Sequence, residues 1–349
     1  MKGRPPLSLL AKDLGGLGLY YPGQALISKV PRSVLEAVGN LGGDLVRMLS
    51  SEMEDALIEL RLSFPEGKIP GGEKVVLKKA WRLAMYNEME VLRYPNLNPD
   101  TIDDVCVVEG REHLDSALAA GKGAVVLIGH FGANQMIMPA LGHKGYPMSQ
   151  LSAPPPVWGD ILAETRTTPL WRRVLERRWE LEQRLPVQHV NVFKFLRPAV
   201  DCLLNNEVLG LAFDGGGGRR WTNVDMLGRS ANLSTQPMQL VRMTGAALLP
   251  TMVTREPGER RHRVVIHKAL SYQTRETRPE EMQVNMQAFA DIFSGWVRKY
   301  PEQYLYFLLL RRRVRGSDVM PFFDDYPKLD NQMSPEQARE HLRQAGSKT

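Results

Sequence analysis

The spacing of hydrophobic positions changes about a hundred residues into the chain. Before that point it is helical. From Ser33, apolar residues recur at Val34, Leu35, Val38, Leu41, Leu45, Met48 and Leu49 and continue through Leu57 and Leu60. That is one face of a 3.6-residue period. Gly39, Gly42 and Gly43 weaken the run or divide it in two. The stretch from Phe64 to Gly72 holds two prolines and reads as a loop. From Glu73 to Tyr94 a second long helix follows, with Val76, Leu77, Ala80, Leu83, Ala84 and Met89 on its apolar side.

After Asp104, short apolar runs alternate with helical stretches. Strands are expected at Val105–Val108, Ala124–Ile128, Met148–Ser152, Val187–Val192, Val208–Phe213, Leu248–Thr254 and Arg263–His267. Helices are expected at Arg111–Ala120, Met136–Leu141, Val157–Leu185, Phe193–Asn205, Pro237–Thr244, Pro279–Lys299 and Glu302–Arg313. Such alternation implies an α/β fold, a mostly parallel central sheet covered by helices on both faces. The pattern divides the chain into a helical region over 1–100, an α/β domain over 101–316 and a polar tail over 317–349. A short helix starts in that tail at Ser334.

Composition narrows the setting. The 349 residues carry 45 Lys and Arg against 39 Asp and Glu, a net charge of +6. The excess is largely arginine, and it clusters. Cys106 and Cys202 make neither a metal spacing nor a disulfide framework, which fits a reducing compartment. No segment has the roughly 20 apolar residues that span a bilayer, and no secretory signal is evident. Residues 1–32 mix Pro, Gly, Tyr20 and Tyr21 with Lys2, Arg4, Lys12, Lys29 and Arg32. They suit either a membrane surface, with cations near lipid phosphates, or a segment packed on its own domain.

Four features carry candidate chemistry. His130 stands at the exit of the Ala124–Ile128 strand, where α/β proteins place their sites, and Gly132 turns the chain. Neutral imidazole near pH 7 is a suitable general base for a hydroxyl. Asn134 and Gln135 lie one turn further on and are within reach of the ring. The second feature is Phe213 to Arg220, in which Asp214 ends a strand and four glycines can present N–H groups to an anion or oxyanion. Third is the run Arg172, Arg173, Arg177 and Arg178 beside Trp171 and Trp179. It suits phosphate binding or, with Glu176, Glu180 and Glu182, an ordinary solvated helix face. Fourth is Arg311, Arg312, Arg313 and Arg315, either a membrane-proximal cluster or cations at a helix C-terminus. The aromatics form no stacking platform, so nucleic acid is not expected as a partner.

The order of these motifs resembles the lipid A biosynthesis acyltransferases of the lauroyl- and myristoyltransferase type, within the lysophospholipid acyltransferase-like superfamily, and their relative that acylates phosphatidylinositol mannosides. The likeness covers almost the whole chain. It rests on Val107 to Leu114, Gly121-Lys122-Gly123, His130-Phe131-Gly132, Leu211 to Asp214, Leu227-Gly228-Arg229, Thr244-Gly245-Ala246, Leu249-Pro250 and Tyr300 to Tyr306. The resemblance implies a glycerol-3-phosphate acyltransferase-like fold and transfer of an acyl chain from an acyl carrier protein or coenzyme A thioester to a membrane glycolipid. It makes His130 the base and requires no covalent intermediate, cofactor or metal. It also implies the cytoplasmic side of the bacterial inner membrane. Many members carry an N-terminal transmembrane anchor. Because the first residues here are too broken for one, peripheral attachment is expected, with the basic charge pointing to an anionic surface.

Substrate contacts are then expected from Asn134, Gly215, Gly216, Arg219, Arg229 and Arg166. One position departs from the family pattern of histidine, four residues, then Asp or Glu: the fifth residue after His130 is Gln135. A glutamine oxygen can fix the imidazole tautomer but cannot stabilise an imidazolium. Asp214 is the first candidate to supply the missing carboxylate and Glu164 the second. The competing reading is a weak or inactive family member that binds acyl chains or glycolipid.

Overall fold

A computed structural model describes residues 7–157, 168–192, 196–255, 259, 261–313 and 320–326. The helix expected from Ser334, together with Glu164 and Arg166, lies outside the described residues. In chain order the described helices are α1 (Leu7–Gly18), α2 (Gln24–Ile27), α3 (Arg32–Leu49), α4 (Met53–Ser63), α5 (Glu73–Val91), α6 (Arg111–Ala119) and α7 (Ile137–Gly142). They continue as α8 (Pro169–Glu182), α9 (Arg197–Leu204), α10 (Gln236–Thr244), α11 (Arg278–Lys299) and α12 (Leu305–Arg312). The strands are β1 (Cys106–Glu109), β2 (Ala124–Ile128), β3 (Met148–Ser152), β4 (Gln188–Asn191), β5 (Val208–Ala212), β6 (Trp221–Met226), β7 (Arg229–Ser234), β8 (Ala247–Thr254) and β9 (His262–Ile266).

Seven strands form one sheet in the order β1-β9-β8-β2-β5-β3-β4. Every pair in it is parallel except β8 with β9. β2 is buried on both faces, which is why it reads as an unbroken aliphatic run. Its alternation separates two cores. Val125 and Leu127 pack on the side of α9, α10 and α11, whereas Ala124, Val126 and Ile128 pack on the side of α6, α7 and α8. A third cluster joins α4 and α5 to Leu305 and Leu309 of α12. Beneath α5, burial works against the charge of Glu90. His262, Arg32 and Arg255 nevertheless hold its carboxyl down at about 2.

The sequence pattern misses the hairpin β6–β7. Its two-residue turn is Leu227-Gly228, with φ of 59° and 76°. Both residues take the left-handed conformation of a type I′ turn, and leucine is a poor advertisement for it. The Asp225 carboxylate accepts from the Gly228 N–H at 3.1 Å and compensates.

The glycines of α3 do not divide the helix. It runs unbroken to Leu49 and ends where Ser50 turns extended. Gly39 and Gly43 are on its buried face instead, where α3 meets α5. A Cβ on Gly43 would stand 2.5 Å from the Arg82 Cα and 2.9 Å from the Trp81 carbonyl oxygen, both backbone atoms. On Gly42 it would meet only the flexible Met85 side chain, at 3.4 Å. Gly43→Ala should therefore cost about 1–3 kcal/mol in denaturant unfolding, because one helix must move. Gly42→Ala should be neutral or gain up to about 1 kcal/mol of helix propensity. Equal effects of the two substitutions would show that the helices do not touch at Gly43.

Candidate active site

The site begins with strand register. β2 and β5 pair in parallel, Leu127 opposite Leu211 and Ile128 opposite Ala212. The ladder is extended by the Phe213 N–H, which donates to the Ile128 carbonyl at 3.0 Å. Two residues past Ile128 is His130, and two past Ala212 is Asp214. Parallel pairing thus carries both out of the same edge of the sheet, side by side.

Their contact is direct. His130 Nδ1 lies 2.6 Å from Asp214 Oδ1, and the His130 backbone N–H donates to Oδ2 at 2.8 Å. The carboxylate oxygen accepts, so Nδ1 carries a ring hydrogen, and in the neutral form of the ring the lone pair is on Nε2. Asp214 is fully buried, whereas the imidazole keeps 35% of its surface. Tyr304 donates its hydroxyl to Asp214 Oδ2 at 2.9 Å. Burial, and then the charge of Asp214, pushes that hydroxyl well above its usual value, so it stays a donor. Phe307 stacks flat on the imidazole, with centroids 4.3 Å apart and planes 3° from parallel.

The loop that carries His130 is pinned along its backbone. The Gly132 N–H donates to the Gln303 carbonyl at 2.7 Å, and the Ala133 N–H donates to the Val253 carbonyl at 3.2 Å. Asn87 of α5 donates from Nδ2 to the Gly132 carbonyl at 2.6 Å. Gly132 has φ of 59°, and a side chain there would run into the Val253 carbonyl. Glycine satisfies both demands.

The expected residues separate. His130 and Asp214 come together, and Gln135 does not join them. Its Nε2 donates to the Asn87 carbonyl at 2.7 Å, so its amide braces α5 against the loop. Gln135 as the imidazole's partner is thus corrected: the short helical turn at Asn134–Met136 turns its side chain toward α5. Asn134 is half-buried in the same turn. Gly215 and Gly216 follow Asp214 directly, Gly216 at φ of 79°, and Arg219 is exposed beside them.

Arg229 is a second correction. It is buried and bonds Glu59 Oε1 at 2.6 Å and Asp325 Oδ1 at 2.6 Å, lying 3.7 Å over the Phe323 ring. Glu59 is also bound by Arg312, at 3.3 Å, and by the Tyr326 hydroxyl, at 2.9 Å. Arg229 therefore clamps the hairpin to α4 rather than facing a ligand. Of the basic run at the end of α12, Arg311, Arg312 and Arg313 are likewise internal, and Arg315 lies outside the described residues. Arg311 donates to the Met320 carbonyl at 2.8 Å, and Arg313 pairs with Glu52. All three of Arg311, Arg312 and Arg313 are buried, so they offer no cationic surface to a membrane. On α8, Arg177 pairs with Glu180 along the helix as expected, whereas Arg178 is largely buried and pairs both with Glu182 and across to Glu88 of α5, so it is not part of a solvated face.

Tyr304, Phe307, Asn87 and Gln303 were not anticipated as site residues. Tyr304 and Phe307 stand three residues apart at the start of α12, hence on one helix face. Tyr304 falls within the Tyr300–Tyr306 motif and Phe307 just past it, but nothing in that spacing marks the pair as reaching His130. Nothing in the sequence marks Asn87.

Comparison with known proteins gives a consistent result. The family model for bacterial lipid A biosynthesis acyltransferases matches residues 8–313. A phosphatidylinositol mannoside acyltransferase of Mycolicibacterium smegmatis is 26% identical over 86% of this chain and 91% of its own. One of Mycobacterium tuberculosis is 30% identical over 46% of this chain and 49% of its own. Among solved structures, the 1-acyl-sn-glycerophosphate (LPA) acyltransferase PlsC from Thermotoga maritima aligns over 78% of this chain and 98% of its own. Its TM-score is 0.32 and its identity 12%, too loose to carry an argument.

The clamp at Arg229 makes a stability prediction. Arg229→Ala strips a partner from the fully buried Glu59 and should cost about 3–5 kcal/mol. Denaturant unfolding measures this. An unchanged midpoint together with a raised KM for the acyl donor would return Arg229 to the substrate.

Proposed function

Since this chain belongs to the bacterial lipid A biosynthesis acyltransferase family and is an acyltransferase, we propose that it moves a fatty acyl chain from a thioester donor to a hydroxyl of a membrane glycolipid, with His130 as general base. The donor is acyl carrier protein or coenzyme A charged with the chain. The observation that carries this reading is the His130–Asp214 pair, with Nδ1 held at 2.6 Å and Nε2 left for an acceptor.

In the proposed step, Nε2 takes the hydroxyl proton as the acceptor oxygen attacks the thioester carbonyl. Charge builds on the carbonyl oxygen. Gly215 to Gly218, next to Asp214, are the candidate N–H donors to it. The intermediate collapses by breaking the C–S bond, and the imidazolium returns its proton to the departing thiolate. Asp214 holds the tautomer and stabilises the imidazolium. Tyr304 and the His130 backbone N–H fix the carboxylate in turn. The chain passes directly between oxygen and sulfur, because neither cysteine is a plausible carrier. Both are buried, and burial pushes the Cys106 thiol up to about 12. Arg219, exposed at the end of the glycine loop, suits the phosphate that both donors carry.

We place the reaction at the cytoplasmic face of the inner membrane, with the protein attached peripherally. Among the described residues no helix is long and apolar enough to cross a bilayer.

Turnover of an acyl-coenzyme A with a glycolipid acceptor tests the assignments. His130→Ala should lose at least about 10³-fold with the fold intact. Asp214→Asn should approach the roughly 10⁴-fold loss that the comparable substitution causes in serine proteases. Tyr304→Phe, which removes one hydrogen bond, should lose about tenfold. Gln135→Glu should bring no gain. More than a few per cent of activity left in His130→Ala would remove His130 as the base.

A further inference from the structure

The solvent side of α3 is almost uncharged, its edge touched by Glu36, whose side chain keeps 37% of its surface, and Asp44 at 25%. Over 18 residues it exposes Val34, Val38, Leu41, Leu45, Val46, Met48 and Leu49, with only Ser33 and Ala37 beside them. Leu41, Met48 and Leu49 are each more than 70% exposed, at 72%, 74% and 78%. A helix facing water normally has the opposite arrangement.

The charged residues of α3 are turned toward the protein. Arg32 pairs with Glu90 at 3.0 Å, Glu36 with Arg255 at 3.7 Å, and Asp44 with Arg82 at 2.5 Å. Arg47 is half-buried. Leu35, Gly39 and Gly43 make the buried face. Ions and glycines point in, and aliphatics point out. The stripe is about 27 Å long at 1.5 Å per residue.

We propose that this face of α3 is the membrane-docking surface, seated among the acyl chains of the bilayer leaflet that holds the acceptor. The proposal rests on the reading of that acceptor as a membrane lipid. The chemistry of the stripe selects the occupant. Met48 apart it is aliphatic, with no aromatic ring, whereas protein partners are met with aromatics and arginine as well as methionine. Hydrocarbon demands none of these. The preceding turn exposes Lys29, placed to reach lipid phosphates. Leu14, Tyr21 and Leu26 of the same N-terminal segment are exposed as well. The helix has polar partners beneath it along its length, which suits lying in the interface rather than crossing it.

The location also suits the chemistry. α3 packs on α5, and α5 bonds the His130 loop through Asn87. Docking by α3 would bring a headgroup hydroxyl to the leaflet edge one helix away from the base. This replaces the buried Arg311–Arg313 cluster as the means of attachment.

The test is co-sedimentation with vesicles of phosphatidylethanolamine and phosphatidylglycerol. Wild type should sediment. The double variant Leu41→Glu/Met48→Glu should lose at least tenfold in bound fraction and in transfer to a vesicle-borne acceptor. Its hydrolysis of soluble acyl-coenzyme A and its melting temperature should be unchanged, since both residues face away from the core. Leu41→Cys carrying an environment-sensitive dye should shift to the blue on vesicles, which decides the matter should the double variant fold poorly. Wild-type sedimentation by the double variant, or an unshifted dye, would overturn the proposal. So would a vesicle-free dimer of the wild type that the double variant dissolves, for a second copy would then cover the face. If the wild type turns over no thioester, the acyl-transfer reading fails, while the sedimentation pair still decides the surface.

Discussion

Parallel pairing of β2 with β5 holds its register from Ala124 opposite Val208 to Ile128 opposite Ala212, and the catalytic geometry depends on that register. A slip of one residue would turn His130 and Asp214 to opposite faces. Both strands are buried, so a slip would also expose their apolar side chains to the wrong core. The burial of ordinary aliphatic residues therefore fixes the distance between two polar ones. Everything around the pair reinforces this: the His130 N–H on the carboxylate, the Tyr304 hydroxyl on its other oxygen, and the Gly132 loop tied to Gln303, Val253 and Asn87. An imidazole held this way has little freedom left to lose when a ligand arrives.

The sequence was most legible where burial is simplest. Ala124–Ile128 is a continuous apolar run whose bounds agree with β2, and the bounds expected for Met148–Ser152 agree with β3. His130 and Asp214 stood out because each follows such a run. Legibility fell where a side chain's direction depends on a local turn. Gln135 is in reach of His130 by sequence, and only the turn at Asn134–Met136 shows that it faces Asn87. The β6–β7 hairpin was hidden because Leu227 takes a left-handed conformation that leucine seldom advertises. Tyr304 and Phe307 reach the site from a helix about 170 residues away in the chain, beyond the reach of any spacing argument.

Charge was the least legible property. A net +6 and a run of arginines suggest a cationic patch, yet the cations at 311–313 are interior: Arg312 and Arg313 answer carboxylates on or just before α4, and Arg311 bonds the Met320 carbonyl. Glu59 collects Arg229, Arg312 and Tyr326, so the hairpin, α4 and α12 meet at one buried carboxylate. Such a cluster is costly to assemble and more costly to break, because any removal strands a buried charge. Composition counts charges without saying which are solvated. The same lesson holds in reverse for α3, whose charges are ordinary in number and unusual only in facing inward.

Phe307, stacked on the imidazole, has a consequence for trajectory. The lone pair on a ring nitrogen lies in the plane of the ring. With Nδ1 tied to Asp214 and one face covered by a phenyl group, the ring can neither tilt nor flip without losing both contacts. An acceptor must then arrive edge-on, along a line that the protein has drawn before any substrate binds. A sugar ring approaching on that line presents one hydroxyl at a time. Under the proposed mechanism, the choice among similar hydroxyls becomes a matter of which one can point along the imidazole plane, so an aromatic side chain that takes no part in the bond-making would set the regiochemistry.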